Sequence, residues 1–437
     1  MSRPRFSIVV PTRQRPHTLH YTLATILNQD HDSFEVIVAD NASSSETRAV
    51  VEAINSPKIR YVRSDSPLTI AANWIRGLAA TRGEWITYLG DDDGLMPSAL
   101  RDVDAIIATH AVESIGYYPG LYAWPCADDT GEANLLQLLI SDNVQVMAAR
   151  DALSAMMQTP GSWSIPMLYH GWISRTLLNR AAAAGDIFVG NYPDTFAGIL
   201  LAAHTDCFVT VEAPLSISGY SATSGSMRWL QTSHGKETKD EVHSMPSAEV
   251  VPGHPSVPDA LSVPGIILDG LLLVRDRLGD SGYDFRPTRL EIALHCLRGV
   301  WLLDEVGQSR VARIRETLET VSDREVFDQQ VDKHPRRTSP RTWFIGPPGL
   351  YGKWLVCDAK ALGARNVAEA CTAAAGARRC GTLMAAAAAA AEAAEAARAA
   401  QPVPIPVTPP SPVIRFARKW RRTLAKRAET IRSLMAG

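Results

Sequence analysis

Phe6-Ser7-Ile8-Val9-Val10 is a short apolar run that Pro11 ends, near the start of a chain of 437 residues. An uninterrupted apolar run of this length has the pattern of a buried strand. Similar runs follow at residues 34–39, 59–62 and 84–89. Helical patterns separate and follow them, at residues 18–29, 44–54, 70–81 and 97–109. Strands that alternate with helices predict an α/β fold built from right-handed β-α-β units around a mainly parallel sheet.

The pattern loosens after Ala111. It predicts a strand pair over residues 114–124, a strand over 207–211, and helices over 152–157, 175–184 and 195–204. Polar residues, glycines and prolines then dominate up to residue 258, which indicates loop structure. We therefore predict an α/β domain over residues 1–225, a flexible linker over 226–258, a helical region over 259–400, a proline-rich spacer over 401–412 and a basic amphipathic helix over 413–437.

Composition excludes several classes of protein. The formal net charge is −2, so no global field attracts nucleic acid, and we expect no nucleic-acid partner. The six cysteines form no C-x-x-C pair, which argues against a zinc ribbon or a redox pair. The first residues lack the pattern of a signal peptide, and no apolar run is long enough to span a membrane. We therefore expect a cytoplasmic protein.

Three acidic residues, Asp91-Asp92-Asp93, follow the strand that ends at Leu89. Ligands of open α/β sheets bind at the carboxyl ends of strands. Adjacent carboxylates repel one another unless a cation lies beside them, and Mg²⁺ or Mn²⁺ that also contacts diphosphate oxygens is a suitable cation. The alternative is a solvated acidic turn.

The first two strands end in residues that suit a nucleoside diphosphate. Arg13 and Arg15 follow the first strand and have the chemistry to hold phosphate or base. Asp40 and Asn41 follow the second, where a carboxylate can accept hydrogen bonds from a base or a ribose hydroxyl. An ordinary turn at Asp40-Asn41 is the alternative.

Together these segments resemble the family 2 inverting glycosyltransferases. The resemblance rests on four motifs in order: Ser7-Ile8-Val9-Val10-Pro11-Thr12-Arg13-Gln14-Arg15, Val36-Ile37-Val38-Ala39-Asp40-Asn41-Ala42-Ser43, Ala72-Asn73-Trp74-Ile75-Arg76-Gly77 and Leu89-Gly90-Asp91-Asp92-Asp93. Over about residues 1–225 it implies a GT-A fold, a nucleoside-diphosphate sugar donor, Mg²⁺ or Mn²⁺ as cofactor, and inversion at the anomeric carbon.

The resemblance also implies the residues of the donor site. Those expected to bind the nucleotide sugar are Pro11, Thr12, Arg13, Arg15, Asp40, Asn41, Asn73, Arg76, Asp91, Asp92, Ser221 and Ser224. Asp91 and Asp93 are the expected metal ligands. The family often has Leu-Asp-x-Asp-Asp, and Gly90 replaces the first Asp here, which leaves the ligand open among Asp91, Asp92 and Asp93.

The family further implies a catalytic carboxylate about 100 residues after the metal motif, at the start of a helix. Asp194 in Asn191-Tyr192-Pro193-Asp194-Thr195 fits this description. As general base it would deprotonate the acceptor hydroxyl. Asp194 as a helix N-cap is the alternative, and Asp186 and Asp206 are competing bases.

Two further segments suit substrate contacts. Residues 216–226 are rich in Gly and Ser, and similar enzymes carry a mobile loop here that closes over the donor; a surface linker is the alternative. Trp163, His170 and Trp172 are candidates for a wall that stacks on the acceptor sugar, with core packing as the alternative.

We therefore expect a metal-dependent inverting glycosyltransferase that acts on a glycan or lipid-linked acceptor in bacterial surface polysaccharide synthesis. Two other functions remain open. A Mg²⁺-dependent phosphotransferase or phosphatase is one, although the chain lacks a Gly-x-x-x-x-Gly-Lys-Ser/Thr loop. A non-catalytic sugar-binding scaffold with a degenerate GT-A domain is the other.

The tail carries a one-sided charge. Residues 413–437 contain eight basic residues and one acidic residue, Glu429, around an apolar stripe that includes Phe416, Trp420 and Leu424. This pattern is typical of a helix that lies on an anionic membrane surface. We expect a peripheral location at the inner face of the cell membrane; packing on the protein or on a partner is the alternative.

Deleting residues 411–437 should release the protein from anionic vesicles, because each basic residue near such a surface contributes about 1 kcal/mol. Co-sedimentation with vesicles measures this, and binding of the full chain should weaken as salt rises. Equal sedimentation of the full and truncated chains at low salt would refute the membrane assignment.

Overall fold

The structure is a computed structural model, and it describes residues 3–125, 133–159, 165–222, 253–259, 262–279, 283–300, 305–334 and 344–380. The described residues all belong to one compact unit, Met1–Thr382. The predicted spacer and basic helix lie outside the described residues, as does most of the predicted linker.

Strands and helices alternate through the first part of the chain. The strands are β1 (Phe6–Thr12), β2 (Phe34–Asp40), β3 (Ile59–Arg63), β4 (Trp85–Tyr88), β5 (Gly94–Leu95), β6 (Ser114–Tyr117), β7 (Gly120–Ala123), β8 (Leu135–Leu139), β9 (Val144–Ala148), β10 (Gly171–Ser174), β11 (Cys207–Val211), β12 (Ser216–Tyr220), β13 (Gly349–Tyr351) and β14 (Trp354–Asp358).

The helices occupy both the α/β part and the later part of the chain. They are α1 (Pro16–Leu27), α2 (Ser45–Ile54), α3 (Ile70–Ala79), α4 (Ala99–Thr109), α5 (Ala149–Gln158), α6 (Arg175–Ala182), α7 (Pro193–Ala202), α8 (Val263–Leu278), α9 (Arg289–Arg298), α10 (Glu305–Glu316), α11 (Val321–Lys333) and α12 (residues 367–380).

The main sheet has the predicted α/β character. Among the described residues it has eight strands in the order β3-β2-β1-β4-β10-β6-β11-β9. The strands β3, β2, β1 and β4 are parallel to one another, and β6 is parallel to β11. The strands β10 and β9 are antiparallel to theirs. The β-α-β order predicted for the first 110 residues is confirmed.

Alternate residues of β1 enter two different cores, as expected for a strand covered on both faces. Ile8 and Val10 pack with α1, α2 and α4 on one side of the sheet. Val9 packs on the other side with α3, α5, α6 and α7. Gly77 of α3 allows close packing there, because an added Cβ would lie 2.8 Å from a methyl group of Val9.

A second sheet corrects the prediction of an all-helical C-terminal region. Its order among the described residues is β13-β14-β8-β7-β12-β5. Strand β14 pairs antiparallel with β8, so residues 349–358 are strands, not helix. Helix α12 packs on the same core as α1 and α4 through Ala370 and Cys371. The segment after residue 344 therefore completes the α/β domain.

The helical part of the region is attached through α8. One side of α8 packs with α7 through Ile267 and Leu271, and the other side packs with α9, α10 and α11 through Leu268 and Leu272. This explains why α8 is apolar around most of its circumference. Among the described helices, none is long and apolar enough to cross a membrane.

Candidate active site

The loops after β1, β2 and β4 meet at the carboxyl edge of the main sheet, as predicted. The residues 90–94 after β4 are called the acid loop below. Thr12, the last residue of β1, donates its hydroxyl to Asp91 Oδ2 at 2.7 Å. The backbone N–H of Gln14 donates to Ser43 Oγ at 2.9 Å, which joins the loops after β1 and β2.

The acid loop is buried. Asp91, Asp92 and Asp93 are 3%, 4% and 1% exposed, so the alternative of a solvated acidic turn is wrong. Buried carboxylates need charged or hydrogen-bonding partners. Each of the three carboxylates has a different set of partners.

Asp91 is paired with a cation. Arg15 Nη1 lies 2.8 Å from Asp91 Oδ1 and 3.9 Å from Asp92 Oδ1. Burial opposes the charge on the guanidinium, but the two carboxylates outweigh it and raise the pKa of Arg15. Arg15 therefore stays protonated beside the acid loop.

Asp92 has the fewest compensating contacts. Ser221 donates its hydroxyl to Asp92 Oδ2 at 2.6 Å. Burial raises the pKa of Asp92 to about 7, and the neighbouring carboxylates act in the same direction, while Arg15 opposes them. Ser221, predicted to bind the donor, lies beside Asp92, and its contact with a donor stays a prediction; Ser224 lies outside the described residues.

Asp93 organises the loop. Its Oδ2 accepts from the N–H of Gly90 and from the Tyr169 hydroxyl, both at 2.7 Å. Its Oδ1 accepts from the N–H of Gly219 at 2.8 Å, and His170 Nε2 lies 3.3 Å from Oδ2. Burial would raise the pKa of Asp93, but His170 and these hydrogen bonds lower it overall.

These contacts bear on the metal prediction. Asp93 accepts from two backbone N–H groups, those of Gly90 and Gly219, whereas the Asp91 and Asp92 carboxylates accept from side chains that can rearrange. Asp91 and Asp92 are therefore better placed than Asp93 to contact a cation. Among the described residues, no three His, Cys, Asp or Glu side chains form a metal cage. Mg²⁺ typically takes one or two carboxylates and completes its shell with water and substrate phosphate, so the two carboxylates fit that ion.

Strand β12 holds the acid loop from the other side. A Cβ on Gly219 would lie 1.9 Å from the carbonyl oxygen of Asp92, so glycine is required for this approach. Trp124 Nε1 donates to the same carbonyl at 3.1 Å. The mobile loop predicted from residue 216 is therefore wrong for Ser216–Tyr220, which are a strand in contact with the site.

Asp40 and Asn41, which are predicted to bind the nucleoside, stabilise the loop after β2. Asp40 is fully buried and accepts from the Tyr61 hydroxyl and, at 3.0 Å, from the N–H of Ser43. The Arg63 guanidinium lies 3.4 Å from it. The side-chain amide of Asn41 bonds both backbone groups of Leu68.

Two residues of α3 support this loop through its backbone. Asn73 donates to the Ala39 carbonyl at 3.0 Å, and Arg76 donates to the Asp40 carbonyl at 2.7 Å. In the protein alone these side chains position the loop, and their contact with a nucleotide stays a prediction.

Three residues around the site have positive φ without being glycine. The φ values are 58° for Gln14, 52° for Ala42 and 54° for His170. This left-handed conformation is uncommon for residues other than glycine and persists where surrounding contacts enforce it. Such strain clusters at binding and catalytic sites.

Asp194 lies in the first turn of α7. Tyr192 occupies the cap position and Pro193 begins the helix, so Asp194 is not the cap. Burial raises the pKa of Asp194, while backbone N–H groups of the first turn of α7 and, to a smaller extent, the imidazole of His170 oppose this rise. The charge of Asp194 in turn acts on Tyr169, whose hydroxyl bonds Asp93. The carboxylate is thus electrostatically linked to the residues beside the acid loop.

The competing base Asp206 lies at the opposite edge of the sheet. It precedes β11, which runs parallel to β6, whereas the acid loop follows β4. Asp206 lines a separate cavity of about 440 Å³ with Glu113, Arg180 and His204. Asp206 is therefore excluded as the base.

The prediction that Trp172 belongs to a wall that stacks on the acceptor sugar is wrong. Trp172 is fully buried and packs edge-on against Phe6 with centroids 5.1 Å apart, so it belongs to the core. Trp163 lies outside the described residues, and His170 lies beside Asp93. Two aromatic residues for which the sequence predicts no role, Tyr169 and Trp74, stack with ring centroids 5.8 Å apart, and the Tyr169 hydroxyl bonds Asp93 of the acid loop.

The raised pKa of Asp92 predicts a pH-dependent stability without metal. Between the ordinary value of 3.8 and about 7 the folded protein holds a proton that the unfolded chain has released. The free energy of unfolding should therefore fall as pH rises through this window. In chelator, the Asp92→Asn variant should melt above wild type near pH 8, and the difference should shrink towards pH 5.

Calorimetric melting points across this pH range measure the effect. The variant Asp32→Asn, at an exposed position, should follow the wild-type profile and serves as the control. Parallel profiles for wild type and Asp92→Asn would contradict the assignment of a strained, buried charge to Asp92.

The first part of the chain matches proteins of known class. Residues 7–115 match the family model for glycosyl transferase family 2. A GalNAc(5)-diNAcBac-PP-undecaprenol beta-1,3-glucosyltransferase of Campylobacter jejuni is 35% identical over 22% of this chain and 32% of its own length. The succinoglycan biosynthesis protein ExoO of Rhizobium meliloti is 31% identical over 26% of this chain and 33% of its own.

The matched region thus spans about a third of these relatives. Among solved structures, residues 1–349 of S. aureus TarS in complex with UDP-GlcNAc are similar, with 13% identity, a TM-score of 0.47, and coverage of 74% of this chain and 83% of that one. Residues 7–115 therefore carry the family 2 glycosyltransferase pattern, and the resemblance predicted from the four motifs is confirmed.

Proposed function

We propose that the chain is a metal-dependent, inverting glycosyltransferase that moves a sugar from a nucleoside-diphosphate donor to a hydroxyl group of a glycan or lipid-linked acceptor. The observation that carries the proposal is the buried acid loop, which Thr12, Arg15 and Gly219 hold at the carboxyl edge of the sheet. It supports a diphosphate site at the acid loop, with Asp194 in the first turn of α7 as the proposed base.

The donor end would be formed by the loops after β1 and β4. Asp91 and Asp92 would hold Mg²⁺ or Mn²⁺, which when bound neutralises charge on the departing nucleoside diphosphate. Arg15 adds a second positive charge within reach of the same carboxylates. Asp93 positions both ligands through its bonds to Gly90 and Gly219.

Asp194 would supply the base. It accepts the proton of the acceptor hydroxyl while that oxygen bonds the anomeric carbon, and the bond from this carbon to the diphosphate oxygen breaks with its electron pair. Attack from the face opposite the leaving group inverts the anomeric configuration. Because burial raises the pKa of Asp194, the rate should fall on the acid side at a higher pH than for an ordinary aspartate.

The acceptor class is proposed from the relatives. The Campylobacter relative is named for an undecaprenol-diphosphate-linked glycan, and ExoO for succinoglycan biosynthesis. A lipid-linked acceptor in bacterial polysaccharide or glycolipid synthesis is consistent with the basic sequence of residues 413–437, for which we propose binding to an anionic membrane surface.

The variant Asp194→Asn tests the base, because asparagine keeps the shape and removes the proton acceptor. A panel of nucleotide sugars with Mn²⁺, followed by thermal shift, identifies the donor. We expect donor affinity near wild type and transfer slower by about 10²–10⁴-fold, the usual contribution of a general base. Release of nucleoside diphosphate with lipid extract as acceptor measures the transfer.

Asp206→Asn is the matched control, because Asp206 lies at the opposite edge of the sheet and should leave transfer unchanged. Equal losses in the two variants, or undiminished turnover in Asp194→Asn, would contradict the proposal. Donor binding without any turnover in wild type would favour a non-catalytic sugar-binding protein instead.

A further inference from the structure

Arg15 occupies the place at the acid loop where a cation is expected. Its Nη1 lies 2.8 Å from Asp91 Oδ1 and 3.9 Å from Asp92 Oδ1. These two carboxylates are also the ones whose oxygens are least committed to backbone donors. A guanidinium and a divalent ion at the same oxygen would repel each other across a short, poorly screened distance.

The backbone and the side chain of Arg15 differ in freedom. The residue precedes α1, and its carbonyl accepts from the N–H of Leu19 at 3.1 Å, which fixes the backbone. The side chain is 19% exposed, against 4% for Asp91. The side chain is long and more exposed than the carboxylate it contacts, so its head can move while its backbone stays in place.

We propose that Arg15 stands in for the divalent cation in the free protein and moves from Asp91 to the donor's diphosphate when metal and nucleotide bind. The proposal rests on the proposed function, because it assumes a diphosphate donor and a metal at the acid loop. Guanidinium is well suited to both partners, since its planar fork of donors matches carboxylate and phosphate alike.

This exchange makes metal and diphosphate binding cooperative. Metal alone must displace Arg15 from Asp91 and leave the guanidinium without that partner. When metal and diphosphate bind together, the diphosphate replaces Asp91 as the anionic partner of Arg15. By linkage each ligand then raises the affinity for the other by the same factor. Thr12 keeps its bond to Asp91 Oδ2 throughout, so the carboxylate stays oriented.

The test measures Mn²⁺ binding with Mn²⁺ alone and then with UDP, by electron paramagnetic resonance of the free ion. Arg15→Met should bind Mn²⁺ alone about 5-fold or more tighter than wild type, within the usual range of coupling between sites. The enhancement of Mn²⁺ affinity by UDP should shrink in this variant. Arg15→Gln, which keeps a hydrogen-bond donor without the charge, should behave in the same way.

Two controls separate charge exchange from a structural role. Arg15→Lys keeps the positive charge and should stay near wild type with Mn²⁺ alone. Arg101→Met removes an exposed arginine that pairs with Asp30, and should change neither affinity. If Arg15 only holds the loop together, its replacement should lower the affinity for Mn²⁺. If Arg15 competes with the metal for Asp91, its replacement should raise that affinity.

Mn²⁺ affinity that is unchanged or weaker in both Arg15→Met and Arg15→Gln, with wild-type circular dichroism, would overturn the inference. If wild type nevertheless binds Mn²⁺ together with UDP, the proposed function stands without the exchange of Arg15. If no variant binds Mn²⁺ with or without UDP, the metal dependence of the proposed function fails as well.

Discussion

The hydrogen bonds to the carboxylate of Asp93 are the interactions on which the arrangement of the site depends. They join the acid loop to Tyr169 before β10 and to Gly219 in β12, so three distant segments meet at one side chain. An ionised carboxylate can accept all of these donors, and a neutral amide would turn its own donors towards some of them. Loss of this carboxylate would release the loop that carries Asp91 and Asp92.

The acid loop also depends on the last described part of the chain. Strand β14 extends the sheet that contains β12, and α12 packs Cys371 against the loop, where a Cβ on Gly94 would lie 2.5 Å from its sulfur. The site is therefore enclosed between the main sheet, the second sheet and α12. Packing of this density allows little movement of the loop, so movement on ligand binding falls to long side chains such as that of Arg15.

Local patterns are sufficient for the first 110 residues, because each predicted strand there is a short, mainly apolar run and each helix has its own apolar periodicity. Contacts across long stretches of sequence were not predictable in this way. The Ser and Gly residues of β12 give no strand pattern, so the sequence does not predict the pairing of this segment with β7 and β5. The sequence also does not distinguish a buried indole from an exposed one, so it does not predict that Trp172 lies in the core. The division of roles among the three aspartates depends on partners between 3 and 129 residues away.

The central claim is that the acid loop binds a divalent cation together with a nucleoside diphosphate. Crystals of the protein soaked with Mn²⁺ and UDP test it most directly, with data collected for anomalous scattering from manganese. The account predicts one strong anomalous peak within about 2.0–2.3 Å of a carboxylate oxygen of Asp91 or Asp92, in contact with diphosphate oxygens. A peak elsewhere, or bound UDP without any peak at the acid loop, would contradict it.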